Sequence, residues 1–296
     1  MKKIWGLVAM LLLAGLLWYL LIKPYDYLVT FKVKTTTGTI NQSLKSWNKT
    51  LKDNSSLEQI ELGHLLQKVS TKDSLFTFDW NMERLNDSIS KVKIYVTDEN
   101  NSIQNKIAIP FTNTNFEKRV KKTVSDFFNG LTKHLSEIKV SEVQKSNLKE
   151  TYCAYVNIKG RQHEKAFGMM KYYSFLSGFL NKNNIDYNGL PFVEIKYWDI
   201  EKDSIHFNFC FPIIKNDSLP NHPEIQYKQN KSVNALKVIY NGNYITSDRA
   251  WYKLLNYAER NKITISRKPV EIFHNNPNYG GDALRWKTEV YMPIEN

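Results

Sequence analysis

The second half of this 296-residue chain carries one pattern twice. Val193-Glu194-Ile195 returns as Val270-Glu271-Ile272 (270 − 193 = 77), Gly160 as Gly242 (242 − 160 = 82), and Phe211-Pro212-Ile213 as Met292-Pro293-Ile294 (293 − 212 = 81). The periodicity around these marks repeats as well. A strand-like run from Thr151 to Lys159 turns at Gly160. Ala166, Met169, Tyr173, Leu176 and Leu180 then share one face of a helix from about Glu164 to Leu180, and strands follow from Phe192 to Trp198 and from Ser204 to Ile213. The second unit has a strand from Val233 to Tyr240 and a turn at Asn241-Gly242. Its helix buries Trp251, Leu254, Leu255 and Ala258 and is capped by Ser247 or Asp248; strands run from Val270 to Phe273 and from Leu284 to Ile294. Each unit reads β-α-β-β. Three strands and one helix close no core alone. The pattern therefore predicts a duplicated β-α-β-β antiparallel sheet, with two helices on one face and a groove on the other. The fold class is α+β.

The N-terminus is of another kind. Ile4 to Ile22 is an uncharged run of 19 residues, with Trp5 near one end and Trp18 and Tyr19 near the other. That length crosses a hydrocarbon core of about 30 Å as a helix, with aromatics at the interfaces. The exit, Leu21-Ile22-Lys23-Pro24-Tyr25, has none of the small residues a signal-peptide cleavage site needs. Residues 1–23 read as an uncleaved transmembrane anchor. Lys2 and Lys3 precede the run, and Lys23 after it is offset by Asp26. The positive-inside rule then predicts a single-pass inner-membrane protein with a cytoplasmic N-terminus and extracytoplasmic C-terminal domains.

Residues 24–140 alternate differently. Val29, Phe31 and Val33 mark a strand, Ile40, Leu44 and Trp47 a short helix, and Phe76 to Met82 and Val92 to Val96 two more strands joined at Asn86-Asp87-Ser88. Thr50 to Leu75 shows no clear strand. A long amphipathic helix carrying Val120, Val124, Phe127, Leu131 and Leu135 closes the segment. Lys139 to Glu150 is polar and marks the boundary to the last domain, residues 141–296.

The formal charge is +12, but the lysines are scattered among Asn, Ser and Asp rather than striped on one face, so no nucleic-acid partner is expected. A basic surface near anionic lipid heads fits the charge as well. Cys153 and Cys210 both lie in expected strands; they are either buried thiols or a disulfide of an exported domain. No ligand spacing calls for a metal, and no phosphate-cradling glycine loop, Gly-x-Ser-x-Gly or His-Glu-x-x-His motif calls for a cofactor or a hydrolytic centre. His163, His206 and His274 have no ligand partner at a telling spacing.

Two resemblances add to this reading. The order strand, helix, antiparallel strands, long final helix over residues 24–140 resembles a reduced helix-grip domain of the START/polyketide-cyclase (SRPBCC) superfamily, which implies an apolar ligand cavity; a plain α+β spacer fits the same elements. Residues 141–296, ending in Thr288-Glu289-Val290-Tyr291-Met292-Pro293-Ile294, resemble the GyrI-like family of effector-binding domains. That resemblance implies a pocket in which Glu289 attracts cationic, aromatic ligands, or, as in some members, a hydrolase using that glutamate on a strained small molecule. The DNA-binding helices of regulator relatives have no counterpart ahead of the domain, where an anchor and the middle domain stand.

The residues agree with a pocket role for Glu289. Lys287, Glu289 and Tyr291 share one face of the last strand, and Thr288, Val290 and Met292 the other. A largely desolvated carboxylate holds a cation, or rises in pKa and serves as a general base. A solvent-facing Glu289 paired with Lys287 or Arg285 is the plainer alternative. Other candidate ligand-binding residues are Tyr155, Tyr240, Trp286 and Asn208. The expected function is a membrane-anchored binder or sensor of a small amphipathic ligand. A hydrolase using Glu289 and a partner-binding envelope protein are the alternatives; no protein partner is named by the sequence.

Overall fold

The computed structural model describes residues 2–51, 54–71, 74–86, 88–216 and 218–295. Asp87, in the expected turn at residues 86–88, lies outside them. The chain forms two compact units, residues 1–132 and 133–296.

The first unit begins with helix α1, Lys2–Leu17, whose last turn continues through Trp18–Ile22 with wider i→i+5 bonding. Lys3–Ile22 is long and apolar enough to cross a membrane, and none of it is buried in the protein. Strand β1 (Tyr27–Val33) and helix α2 (Thr37–Asn48) follow; the Thr36 hydroxyl accepts from the Thr39 amide at 3.2 Å and caps the helix. Four antiparallel strands come next, β2 (Asn54–Glu61), β3 (His64–Ser70), β4 (Leu75–Arg84) and β5 (Ser90–Asp98). The sheet order is β1-β5-β4-β3-β2, so the first strand lies beside the last. Helices α3 (Ser102–Ala108) and α4 (Asn115–Ser136) complete the unit, and the boundary between units falls in the last turns of α4.

Strands β2 and β3 occupy the stretch where the sequence shows no clear strand. Their alternation is masked by polar inward residues. Gln67 is fully buried on the inner face, where it donates to Asn48 at 2.7 Å and accepts from the Trp80 indole at 3.1 Å. The inner face also holds Trp80, Trp47 and Phe127, packed edge to face with ring centroids 5.0 and 5.5 Å apart.

The second unit is one large antiparallel sheet. Its elements are β6 (Lys139–Val140), β7 (Gln144–Leu148), β8 (Thr151–Arg161), α5 (Lys165–Lys182), β9 (Phe192–Asp199), β10 (Ser204–Pro212), β11 (Gln226–Asn230), β12 (Val233–Asn241), α6 (Arg249–Arg260), β13 (Val270–Phe273) and β14 (Lys287–Pro293). The strand order is β11-β8-β10-β9-β13-β14-β12-β6, and β7 also pairs with β12. Strand–helix–strand–strand therefore occurs on each side of the central β9–β13 pair. Both helices cover one face. In α5, Gly168 lies against Phe207 and Ile158, and Tyr173 packs on Phe211 with ring centroids 5.3 Å apart. In α6, Trp251 packs edge to face on Trp198 at 5.0 Å.

Several local expectations are revised. Gly160 lies inside β8, not at a turn. Gly242 is a true turn residue: its φ is +151°, and a Cβ there would lie 2.6 Å from the Tyr240 hydroxyl. Neither Ser247 nor Asp248 caps α6 by its side chain. Both are drawn instead into a buried polar layer, Ser247 by Lys165 and Asp248 by Gln162 and Arg249. The last strand starts at Lys287, because Asp282 caps a tight turn over Ala283–Arg285 first. The polar stretch read as a boundary supplies β6 and β7: solvent-facing edge strands bury little and so carry little apolar signal.

Candidate functional site

The face of the second sheet opposite its helices is organised in transverse rows set by strand register. One row runs Asn157, Asn208, Glu194, Val270, Tyr291, Lys237. The next runs Tyr155, Cys210, Phe192, Ile272, Glu289, Ile239. Directly paired residues point to the same face. Cys153, Phe192, Cys210, Ala235, Val270 and Tyr291 form a buried apolar cluster on this face. Beside it lies a cavity of about 330 Å³. Phe192, Val270, Ile272, Val233, Leu148 and Pro293 give it apolar walls, and Glu194, Lys149, Lys231 and Lys268 also line it.

The row pairing corrects the repeat. Glu194 pairs with Val270, and Glu271 with Val193. The two glutamates of the Val-Glu-Ile motif therefore point to opposite faces. An offset of 77 is one short of the 78 that would match Phe192 with Val270, and a one-residue shift in a strand flips every side chain. Glu194 is a groove residue. Glu271 is fully buried under the helices, in contact with the Lys165 ammonium, with Ser247 donating at 3.1 Å and the Trp251 indole at 2.7 Å. Burial pushes its carboxyl up, against the pull of Lys165.

Glu289 stands on the groove face and is surrounded by bases. Lys287 lies 2.7 Å from it, Lys237 2.9 Å and His274 3.3 Å, and the Tyr291 hydroxyl donates to it at 2.7 Å. Burial raises its pKa, but the hydrogen bonds from Lys287, Lys237 and Tyr291 outweigh burial and hold it down at about 2. Two lysines, a histidine and a tyrosine hydroxyl thus surround this one carboxylate. On the other side of the groove Glu194 is compensated in the same way. Lys228 reaches it from edge strand β11, Lys196 lies 3.2 Å away, and Asn208 donates at 3.0 Å while accepting from Asn157 at 3.0 Å. Each carboxylate thus has a tyrosine ring under its lysine: Lys228 sits 4.9 Å from the Tyr155 ring centre and Lys237 4.9 Å from that of Tyr291.

A family model for the GyrI-like small molecule binding domain matches residues 141–295. The chain belongs to the GyrI-like family. Among solved structures, the C-terminal domain of EcmrR is similar over 52 % of this chain and 98 % of that one, at 17 % identity and a TM-score of 0.45. SAV2435, solved bound to tetraphenylphosphonium, is similar over 53 % and 95 %, at 10 % identity and 0.38. A hydrolase from Listeria innocua is similar over 52 % and 92 %, at 11 % identity and 0.35. No curated protein matches the chain.

Within this GyrI-like domain the six candidate residues separate. Glu289, Tyr291, Tyr155 and Asn208 share the groove face. Tyr240 does not: it is fully buried on the helix face, its hydroxyl 2.8 Å from that of Thr246 and donating to the Asn243 carbonyl at 3.0 Å. Trp286 also leaves the groove, because the turn before β14 tilts it onto the Tyr244 ring at 5.7 Å, and Tyr244 packs on Phe273 at 4.8 Å. The sequence placed Lys287 on the face of Glu289, and the structure pairs the two; it pointed to neither Lys228, Lys237 nor Glu194 as groove residues. Lys237 was legible in principle, two residues past Ala235 in an alternating strand; Lys228 was not, because Gln226–Asn230 is too polar to read as a strand. Among the described residues no three His, Cys, Asp or Glu side chains converge to hold a metal ion.

Proposed function

We propose that the GyrI-like domain binds a small amphipathic molecule whose polar group is anionic. The observation that carries this reading is the charge of the cavity. Lys149, Lys231 and Lys268 line it, while its carboxylate, Glu194, is already compensated by Lys228 and Lys196. Glu289, which the family resemblance would offer to a cation, is held by Lys237, Lys287 and His274. A cation entering the groove would have to displace one of these partners, whereas an anion meets the exposed Lys149, Lys231 and Lys268 beside apolar walls of Phe192, Val270 and Ile272. The same saturation speaks against Glu289 as the base of a hydrolase, since a carboxylate held at about 2 is a poor proton acceptor at neutral pH.

The anchor belongs to the same reading. Lys3–Ile22 spans the membrane once, the short N-terminus stays in the cytoplasm, and the binding domain samples the far side. The strand order β1-β5-β4-β3-β2 behind a long helix supports the helix-grip resemblance of the middle domain. Its packed Trp47, Trp80 and Phe127 rings favour a spacer over a second binding chamber.

A matched pair of aromatic ions tests the charge. Full-length protein in nanodiscs is titrated with naphthalenesulfonate and with naphthylmethylammonium while thermal unfolding is followed. A ligand that binds only the native state raises the midpoint. The sulfonate is expected to raise it, and the Lys231→Glu/Lys268→Glu variant to lose that rise. Equal or greater stabilisation by the ammonium overturns the reading.

A further inference from the structure

In the first unit, helix α3 is clamped to the end of the apolar N-terminal helix. The Lys106 side chain is buried, and its ammonium donates to the Lys23 carbonyl at 2.6 Å and the Leu20 carbonyl at 3.4 Å. These carbonyls belong to the last turn of the apolar helix and its exit, where intrahelical donors run out, so Lys106 caps it. Tyr19 donates back to the Lys106 carbonyl at 3.1 Å. Asp26, itself buried, lies 3.8 Å from the Lys106 ammonium and accepts from Ser102 at the start of α3 at 2.5 Å. Five contacts thus fix α3 beside residues 19–26.

Its outer side is apolar and bare. Ile103 and Ile107 are about half exposed, at 51 % and 52 %, and Phe111, just past the helix, is 84 % exposed. Ile103 and Ile107, one turn apart, share one side of α3, and Phe111 stands on the turn that follows it. Trp18, Leu21 and Ile22 are likewise exposed on the helix that α3 grips.

We infer that α3 and the turn after it form a lipid-docking foot, with Ile103, Ile107 and Phe111 inserted at the headgroup–acyl boundary of the bilayer. The inference rests on the reading of Lys3–Ile22 as a membrane span. It follows from continuity: a helix bonded to the carbonyls of residues 20 and 23 shares the depth of Ile22, the last apolar residue of the run. That depth is the interface, where short amphipathic helices lie in plane. An aqueous location would leave three large side chains in water beside an apolar helix. The foot sets the tilt and rotation of the first unit on the membrane instead of leaving it free on a single stalk.

The test uses the full chain in nanodiscs with an environment-sensitive fluorophore on single cysteines at Ile107→Cys and Phe111→Cys. Leu12→Cys marks the span, and Leu85→Cys marks the end of the sheet away from α3. The parent chain measures background labelling of Cys153 and Cys210, both buried. Lipids carrying a spin label near the headgroup are expected to quench positions 107 and 111 at least about twofold more than position 85. Deep-label lipids should quench position 12. Aqueous probes at 107 and 111 together with a quenched position 12 overturn the foot and leave the anchor standing. An unquenched position 12 overturns both.

Discussion

Glu194 and Glu271 hold the same place in a repeated Val-Glu-Ile motif, yet one faces the groove and the other lies under the helices. Their environments predict unequal costs. Glu271 and Lys165 are both fully buried and in contact. Breaking such a pair leaves an uncompensated buried charge and costs about 3–5 kcal/mol. Lys165→Met is expected to lose that much in urea unfolding, and Lys165→Met/Glu271→Met to regain most of it. Glu194→Gln, at a pair whose side chains are 17 % and 20 % exposed, should cost less than Lys165→Met, because its lysines can still reach water.

His134 gives the second unit a pH response. Burial, then the nearby Arg249 charge, lower its pKa to about 4 against the pull of Asp248. The unfolded chain takes up the proton near 6.5. As pH falls from about 6.5 to about 4 the unfolded state binds a proton that the folded state refuses, so stability is full above 6.5 and declines below it. The loss is of order 3 kcal/mol by about pH 4. Comparing urea midpoints at pH 7 and pH 4.5 checks this; His134→Phe should show a visibly smaller drop than the parent chain.

Glu289 responds at lower pH and with a different cause. Its folded-state value of about 2 lies below the ordinary 4.5. The stability it contributes is present above about 4.5 and is lost as pH falls toward 2. Glu289→Gln removes that part of the acid transition. It also leaves Lys237 and Lys287 without their counter-charge. Naphthalenesulfonate affinity is therefore expected to rise about threefold or more, read by titration at low salt. A fall in sulfonate affinity would argue against an anion in this groove.

Much of the scaffold is legible without coordinates. The runs at Phe76 and Val92 alternate because one face of each strand is buried, and the helices at Val120 and Trp251 keep an apolar stripe for the same reason. Legibility fails where burial and polarity part company. Gln67 sits in a core, β7 and β11 are polar edges, and the α6 cap is lost because Ser247 and Asp248 serve a buried network. The groove is read only in part. Alternation alone places Glu289 and Tyr291 on one face, but Tyr240 and Trp286 depend on which way a strand and a turn present them.

The sequence by itself determined the apolar N-terminal helix, the strand and helix order of the last domain, and the face on which Glu289 lies, because each follows from local periodicity. Tertiary structure alone decided how the two carboxylates are compensated. Lys287 shares the strand of Glu289, but Lys228, Lys237 and His274 come from other strands or a strand end, and only sheet register brings them to Glu194 and Glu289. Charge compensation is a property of neighbours in space, and a one-residue shift between strands exchanges those neighbours.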